Sequence, residues 1–437
     1  MSKAWILSVD MGYGHQRAAY PLSALNDEGV LTANTDYTTS DKEKILWRLT
    51  QSGYETVSRM KAIPFIGDAI FGMYDKLQDI APFYPFNVDE RPNGNVTTAK
   101  NFITMGLCKG ILDHVSKENI PIITTHFMPA LAADYNGFKN IYSIVTDTDI
   151  NRVWVSADPK KSNITFFSPC RHAAMRLLKY GVPPERIYIT GFPLPKENIG
   201  GLDQKVLKSD LAKRIKKLDP TGKFLKVYKS VLEENLGEIP EKVDRPLTLC
   251  FMVGGAGAQS EIGINVVKSL KTRIMNGEVK VNLVAGVREQ VKDFFEKEIT
   301  KLGFDKDCSG CLKIIFAKTK TEYFKLFNEE LHNTDILWTK PSELSFYTAL
   351  GIPIIIAPPV GAHEHFNDIW LRHIASGFGQ DNPIYTEDWL YYVLESGRYA
   401  QAAWDGFMRA PTMGTYRIES ILSGELKKEE KGITDAR

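Results

Sequence analysis

Cysteine is scarce in this chain, with five cysteines among 437 residues. The number is odd and the spacing follows no disulfide framework, so the sequence fits a reducing cytosol better than a secreted scaffold. No apolar run approaches the ~20 residues that a transmembrane helix requires. The first residues lead almost directly into an apolar segment and lack the layout of a signal peptide. We therefore expect a cytoplasmic protein, and contact with a membrane surface stays open.

An excess of charge of one sign is also missing. The formal net charge is +1, from 54 Lys and Arg against 53 Asp and Glu. No basic field argues for a nucleic-acid partner, and we expect none. Hydrophobic residues make up 43% and charged residues 24% of the chain, as in soluble proteins with full-sized cores. The length suits two domains or slightly more.

Two glycine-rich turns lie more than two hundred residues apart. Each follows a short apolar run that is typical of a buried parallel strand, and each leads into small residues that can begin a helix. The glycines are Gly12 and Gly14 in the first turn, and Gly254, Gly255 and Gly257 in the second. Backbone N–H groups at such a helix start bind phosphate and other anions. This predicts an α/β protein with two Rossmann-like, doubly wound domains facing each other across a cleft.

Alternating strand and helix signals divide the chain further. They predict an N-terminal domain over residues 1–200 and a C-terminal domain over residues 246–400. Residues 201–245 are rich in charge and contain no apolar strand, so we expect a charged helical insertion or linker there. Residues 401–437 are expected to form a C-terminal helix and tail, with the helix packing back onto the first domain.

The segment over residues 45–86 is rich in aromatic residues and methionine and is interrupted by prolines. One interpretation is a pair of core-packing helices with proline-bounded ends. The other is an amphipathic flap that meets a lipid surface, because basic residues accompany the aromatic ones. These basic residues are Lys44, Arg48, Arg59, Lys61 and Lys76.

Polar residues follow several predicted strands at the edge where open α/β sheets bind ligands. His15 lies at the first strand-to-helix turn, and imidazole is suited to act as a general base near neutral pH. The alternative is that His15 only forms a hydrogen bond within the turn. A dinucleotide fingerprint is disfavoured because Arg17 occupies its third glycine position.

Metal and cofactor motifs are incomplete. The pair Cys308 and Cys311 has no second pair, and a zinc site needs four ligands, so we expect a loop with free thiols. His363 and His365 are two residues apart rather than the four of the helical zinc-protease motif. We therefore expect neither a metal nor a cofactor.

Seven short motifs resemble a known family in their order and spacing. They lie at residues 12–19, 125–129, 145–147, 190–193, 254–258, 339–353 and 363–367. In this order the chain resembles the GT-B glycosyltransferases, specifically the monogalactosyldiacylglycerol synthase and processive diacylglycerol glucosyltransferase group. It is similar, more distantly, to the enzyme that adds GlcNAc to the peptidoglycan lipid precursor. The resemblance spans about residues 5–375 and omits residues 200–245.

The resemblance implies transfer of a hexose or N-acetylhexosamine from a nucleotide diphosphate sugar, most often a UDP-sugar, to a lipid or other hydroxyl acceptor. It assigns the catalytic base to His15. It places Gly12, Gly14, His126 and Asp147 on the acceptor side of the cleft. It assigns donor binding to Gly254, Gly255, Gly257, Lys340, Ser342, Glu343, His363, Glu364 and Asn367. A sugar epimerase on the same fold, and a ligand-sensing protein without transfer activity, are the alternatives.

The donor signature departs from the family at three places. Ser342 and Glu343 stand where the family has two glycines, and His363 replaces a glutamine. Thr348 occupies the position of the glutamate that holds the nucleotide ribose in the family. Glu343 could take over the ribose contact or could instead stabilise the start of the following helix, where acidic residues are favoured. The altered stretch supports the sensor alternative.

Overall fold

The computed structural model describes residues 3–60, 80–252, 259–304, 310–359 and 362–425, with only the backbone described for residues 51–60, 362 and 363. The chain divides into two compact units. The first unit consists of residues 1–193, 361–366 and 413–437, and the second of residues 194–360 and 367–412. Each unit has its own parallel β-sheet.

The described strands form two six-stranded sheets, with β1–β6 in the first unit and β7–β12 in the second. They are β1 (Trp5–Ser8), β2 (Val30–Thr32), β3 (Ile122–Thr124), β4 (Ile141–Ile144), β5 (Ile164–Ser168), β6 (Ile187–Ile189), β7 (Leu247–Met252), β8 (Val279–Gly286), β9 (Leu312–Phe316), β10 (Ile336–Thr339), β11 (Ile354–Ile356) and β12 (Gly377–Gly379).

Helices connect and cover these strands. The α-helices are α1 (Gly14–Ala19), α2 (Asp41–Met60), α3 (Gly94–Thr104), α4 (Lys109–Val115), α5 (Phe127–Tyr135), α6 (Arg171–Lys179), α7 (Lys196–Ile199), α8 (Lys205–Leu218), α9 (Leu225–Leu236), α10 (Ser260–Ser269), α11 (Lys271–Met275), α12 (Glu289–Lys301), α13 (Lys320–Leu331), α14 (Ala362–His373), α15 (Thr386–Glu395), α16 (Arg398–Arg409) and α17 (Gly414–Ser423). Short 3-10 helices lie at Tyr20–Leu25, Arg152–Trp154, Pro184–Arg186, Glu343–Leu350 and Pro383–Tyr385.

The first sheet has the strand order β2-β1-β3-β4-β5-β6, and every neighbouring pair is parallel. Its central strands are continuous apolar runs because helices cover a parallel sheet on both faces. Ile6, Ile123 and Phe167 are buried in one core cluster of this unit. Ile418 of α17 is fully buried in the same cluster, so the last described helix completes the core of the first unit.

The second sheet has the order β12-β11-β10-β7-β8-β9, again with parallel pairs throughout. Numbered from its own first strand, this is the 3-2-1-4-5-6 order of the Rossmann fold read from the β9 edge. The β7 run is buried at all six positions. The predicted fold class is therefore confirmed at the level of two Rossmann-like parallel sheets, each surrounded by helices.

The charged segment over residues 201–245 contains α8 and α9, which both lie in the second unit. Leu211, Ile215 and Leu218 recur at helical spacing and are buried in the core of that unit. Arg214 is also buried, and its guanidinium donates to the carbonyl oxygens of Leu331 (3.0 Å), Thr334 (2.7 Å) and Leu350 (2.9 Å).

Burial lowers the pKa of Arg214 to about 10. These contacts satisfy carbonyl groups at and just after the end of α13 and at the end of the 3-10 helix Glu343–Leu350, since helix ends leave such groups without partners in the helix. The segment that we expected to be an insertion or linker therefore contributes two helices to the fold of the second unit.

The segment over residues 45–86 is described only in part, since residues 61–79 lie outside the described residues. Helix α2 covers its first part and buries Leu46 and Trp47 while Ile45 and Leu49 remain more than half exposed. Among the helices of the described residues, none combines the length and apolar character needed to cross a membrane.

Candidate functional site

The carboxyl ends of β1, β2 and β3 meet at the point of the first sheet where the strand order reverses. This is the place where open α/β sheets form a ligand crevice. Hydrogen bonds join the loops that follow these strands. The backbone N–H of Thr125 donates to the Leu7 carbonyl (3.1 Å). Asn34 accepts from the Asp10 backbone N–H (2.7 Å) and donates to the Asp10 carbonyl (3.1 Å). Hydrogen bonds therefore link the chain segments at this edge of the sheet to one another.

His15 lies at the second position of α1, directly above this edge. Its Nδ1 forms a hydrogen bond with the Thr125 carbonyl oxygen, which can only accept. In the neutral ring the proton therefore sits on Nδ1, and Nε2 carries the lone pair. A half-buried imidazole held in this tautomer has the form that a general base requires.

His126 precedes α5 and is buried. Its Nδ1 accepts from the Met128 backbone N–H (3.1 Å), so the side chain caps the helix. Burial, with a smaller contribution from the neighbouring His15, lowers the pKa of His126 well below its usual value. The ring is neutral, and its proton lies on Nε2. The rings of His15 and His126 meet edge to face with their centroids 4.8 Å apart.

Three aromatic side chains surround His126, and the sequence analysis did not predict these contacts. Phe127 stacks on its ring (4.2 Å), while Trp47 (6.2 Å) and Trp154 (6.4 Å) approach from other elements. Trp154 also lies 6.5 Å from the His15 ring. Only the adjacency of Phe127 was visible in the sequence, because the other two contacts depend on the fold.

The other residues that were predicted for the acceptor side lie at the same edge of the sheet. Gly12 has a φ of +95°, which a residue with a side chain rarely adopts, and Gly14 begins α1. Asp147 is half-buried in the loop after β4. Two residues later, the buried Asp149 forms an ion pair with Arg176 (2.7 Å), which fixes this loop.

In the second unit the strand order reverses between β7 and β10. The glycine-rich turn with Gly254, Gly255 and Gly257 follows β7 and lies outside the described residues. Helix α10 begins at Ser260, just after this turn. The predicted phosphate-binding glycines therefore fall, in sequence, between the carboxyl end of β7 and the start of α10.

The turn after β10 contains Lys340, Ser342 and Glu343. Asn367 of α14, which is fully buried, donates from Nδ2 to the Pro341 carbonyl oxygen (3.2 Å) and so holds this turn. Glu343 begins the 3-10 helix Glu343–Leu350 and is only 8% exposed. The structure thus brings three of the predicted donor residues onto one turn and connects a fourth to it.

Thr348 is fully buried. Its hydroxyl forms a hydrogen bond with the Ser376 hydroxyl, which also donates to the Ala402 carbonyl (2.9 Å). The position that holds a glutamate in the resembling family is therefore part of the protein interior in this chain.

Glu364 is fully buried on α14, three residues before Asn367. The side chain of His363 lies outside the described residues. Within the described ranges, no three His, Cys, Asp or Glu residues are grouped so that they could hold a metal ion. Cys311 is a buried free thiol, and Cys308 lies outside the described residues.

Comparison with known proteins gives partial matches. The family model "Domain of unknown function (DUF6938)" matches residues 240–416, which lie mostly in the second unit. A processive diacylglycerol beta-glucosyltransferase of Bacillus cytotoxicus is 24% identical over 264 residues, which cover 59% of this chain. The chain spans 55% of the length of that relative.

Two solved structures illustrate the likeness of the backbone. The MurG structure from Acinetobacter baumannii has a TM-score of 0.49 at 12% identity, covering 97% of this chain and 100% of that one. The UDP co-structure of MnaA from S. aureus has a TM-score of 0.48 at 11% identity, covering 97% of each chain.

The two parallel sheets define a protein with two Rossmann-like units. The chain resembles the GT-B glycosyltransferases of the processive diacylglycerol glucosyltransferase group, in agreement with the order of its sequence motifs.

Proposed function

We propose that the protein is a glycosyltransferase that moves a hexose or N-acetylhexosamine from a nucleotide diphosphate sugar to a lipid or other hydroxyl acceptor. The observation that carries this proposal is the orientation of His15. Its Nδ1 contact with the Thr125 carbonyl leaves Nε2 as the basic atom at the carboxyl edge of the first sheet. The sequence resemblance supplies the reaction class.

In the proposed reaction, the acceptor hydroxyl oxygen forms a bond to the anomeric carbon of the sugar. His15 Nε2 takes the hydroxyl proton, and the bond between the anomeric carbon and the diphosphate oxygen breaks. The diphosphate leaves with the electron pair. Fixed N–H dipoles and a nearby cation stabilise such a leaving group, and Lys340 and the helix start at Ser260 are the candidates for this role.

Calorimetric titration of the full chain with UDP, GDP and their sugars tests the donor part of this proposal. We expect saturable binding of one nucleotide, most readily UDP, and transfer of radiolabelled sugar to an extracted lipid acceptor. Absence of binding to every nucleotide at millimolar concentration would exclude both the transferase and the epimerase. Interconversion of the free nucleotide sugar without an acceptor would identify an epimerase instead.

A ligand-sensing protein is the second candidate. The burial of Thr348 against Ser376 favours it, because the usual ribose-binding carboxylate is missing at that position. A sensor would bind a nucleotide or nucleotide sugar without turnover. Binding accompanied by measurable label transfer would therefore exclude this candidate.

Contact with a membrane surface belongs to the same proposal. Ile45 and Leu49, which lie on one face of α2, are 54% and 56% exposed, and Tyr84 is 78% exposed. Exposed apolar side chains near Lys44 and Arg48 are typical of a helix that lies at a bilayer surface.

We expect the protein to sediment with anionic vesicles, more strongly at low salt. The I45S/L49S variant should remain in the supernatant, whereas the control Tyr392→Ser, which removes an 80% exposed aromatic residue in the second unit, should sediment as the wild type does. Equal sedimentation of the wild type with and without vesicles would contradict the contact.

A further inference from the structure

A polar cavity lies beside the histidine pair in the first unit. It is open to solvent, has a volume of about 460 Å³ and is lined by Asp10, Asn34, Thr35, Lys44, Trp47 and Arg48. Asp10 follows β1 and Asn34 follows β2, while the other side of the cavity is formed by the first turns of α2. None of these residues is part of the donor or base assignments made above.

The helical side of the cavity is held rigidly. Glu43, in the first turn of α2, accepts from the backbone N–H of Gly110 (3.0 Å) and from the backbone N–H and hydroxyl of Ser40 (2.9 and 2.7 Å). A Cβ at Gly110 would lie 2.0 Å from the Thr38 carbonyl oxygen, so this approach requires glycine. Both carboxylate oxygens of Glu43 therefore accept hydrogen bonds that anchor the first turn of α2. Lys44 and Arg48 follow on the same helix.

The charges on the lining favour an anion. Lys44 and Arg48 contribute two positive charges against one carboxylate, that of Asp10. Lys44 does pair with Asp41 (3.2 Å), but the Asp41 side chain is 96% exposed, and a surface pair of this kind is easily exchanged for another partner. The spacing of four residues places Lys44 and Arg48 on the same face of the helix.

The cavity also offers an unused donor. Trp47 is 2% exposed, and its indole Nε1 has no hydrogen-bond partner among the described residues. Buried polar groups are normally paired, so the unpaired N–H of a residue that lines a cavity is a donor that a ligand atom or water entering beside it can use.

We infer that this cavity binds a phosphate-bearing polyol headgroup. Lys44 and Arg48 hold the phosphate oxygens, the Trp47 indole donates to a further oxygen, and Asp10 accepts from a polyol hydroxyl. The inference rests on the proposed function in one respect, because the bound headgroup is taken to be part of the acceptor. The acceptor is then an anionic phosphorylated molecule rather than a neutral lipid. The phosphate group itself could belong to a lipid or to a soluble polyol.

Calorimetry on the full chain without nucleotide tests the site directly, with glycerol phosphate, glycerol and inorganic phosphate as probes. We expect glycerol phosphate to bind more tightly than inorganic phosphate and glycerol not to bind. The K44A/R48A variant should lose at least about tenfold in affinity, because charge-assisted hydrogen bonds to both cations are removed. Trp47→Phe, which keeps the ring and removes the N–H, should lose a smaller factor.

The matched control is K42A/K117A, which removes two exposed positive charges of the same unit that do not line the cavity. It should keep the wild-type affinity. Equal weakening in this control would show that general electrostatic attraction, and not the cavity, binds the anion, and would overturn the inference. Failure of the wild type to bind glycerol phosphate at millimolar concentration would also overturn it.

Vesicles distinguish the two sources of the phosphate. Retention on phosphatidylcholine vesicles containing phosphatidic acid that is lost in K44A/R48A and is also displaced by soluble glycerol phosphate identifies a lipid headgroup in the cavity. Binding of soluble glycerol phosphate without such displacement from vesicles identifies a soluble acceptor. UDP titration of the same variants separates this site from the proposed function. Normal UDP binding without glycerol phosphate binding would reject the cavity site alone. Glycerol phosphate binding without UDP binding would reject the glycosyltransferase alone.

Discussion

The imidazole rings of His15 and His126 meet edge to face with centroids 4.8 Å apart, and each ring uses its Nδ1 for a backbone contact. The two Nδ1 atoms play opposite roles in these hydrogen bonds, one as donor and the other as acceptor. His15 donates to the Thr125 carbonyl, whereas His126 accepts from the Met128 N–H. The two neutral rings therefore carry their remaining protons on different nitrogens, and of their two Nε2 atoms only that of His15 can accept a proton without loss of a backbone hydrogen bond.

Replacing His15 by Ala should lower turnover by about 10²–10⁴-fold with little change in donor affinity, because a general base acts on the acceptor proton. His15→Asn is the matched variant, since its side-chain amide can still donate to the Thr125 carbonyl but cannot accept a proton at neutral pH. We expect the same loss of turnover with near-normal thermal stability. Steady-state transfer rates within tenfold of the wild type would rule out the base.

His126 should make the stability of the first unit depend on pH. Its pKa in the folded protein is lowered, so the unfolded chain binds the extra proton more readily. The stabilisation from the neutral ring is complete above the unfolded pKa of about 6.5 and is lost as the pH falls from there towards the lowered folded value.

His126→Asn keeps a good helix-capping residue and removes the titration. Denaturant unfolding between pH 7.5 and 5 should therefore give a shallower pH dependence in this variant than in the wild type. Identical slopes for the two proteins would contradict a buried neutral His126.

Most of the strands were predictable, because a parallel strand covered on both faces is a continuous apolar run. Residues 247–252 are an example, being buried at every position. The glycine turns and the polar residues at strand ends followed from the same pattern. The order of the strands within each sheet was not predicted. Helices were expected over residues 201–245, but their contribution to the core of the second unit was not, because the charges were more conspicuous than the helical spacing of Leu211, Ile215 and Leu218.

The finer parts of the site depend on contacts between distant residues. Asn367 donates a hydrogen bond to the Pro341 carbonyl, 26 residues earlier in the chain. Thr348 forms a hydrogen bond with Ser376, 28 residues later. The polar cavity beside the histidine pair requires the loops after β1 and β2 to meet the first turns of α2. Nothing in the local sequence around Lys44 and Arg48 indicates which loops they will face, so charge pattern alone suggested only a surface role.

Gly406 tests the packing around Thr348. A Cβ at this position would lie 2.3 Å from the Thr348 hydroxyl and 2.5 Å from the Ser376 hydroxyl. Gly406→Ala should therefore destabilise the protein by about 1–3 kcal/mol, since overpacking forces neighbouring atoms to move. Denaturant unfolding measures the change.

The control for this substitution is Gly94→Ala, at the start of α3, where an added Cβ meets nothing within 4 Å. This change should be neutral or slightly stabilising, because alanine is favoured over glycine in a helix. Equal stability of the two variants would show that the region around Thr348 is loosely packed and open to a ligand.

Glu343 gives the sharpest test of the donor site. It is the first residue of the 3-10 helix after β10, and its neighbouring turn is held by Asn367. If its carboxylate accepts the ribose hydroxyls in place of the missing family glutamate, Glu343→Ala should weaken nucleotide affinity by about 1.5–3 kcal/mol, the size of charge-assisted hydrogen bonds.

The control is Glu329→Ala, at an exposed position of α13, which should leave the nucleotide affinity unchanged. Calorimetric titration and thermal melting are measured on both variants. A lower melting temperature with normal nucleotide affinity would mean that Glu343 only stabilises its helix through the favourable position of an acidic residue in the first turn.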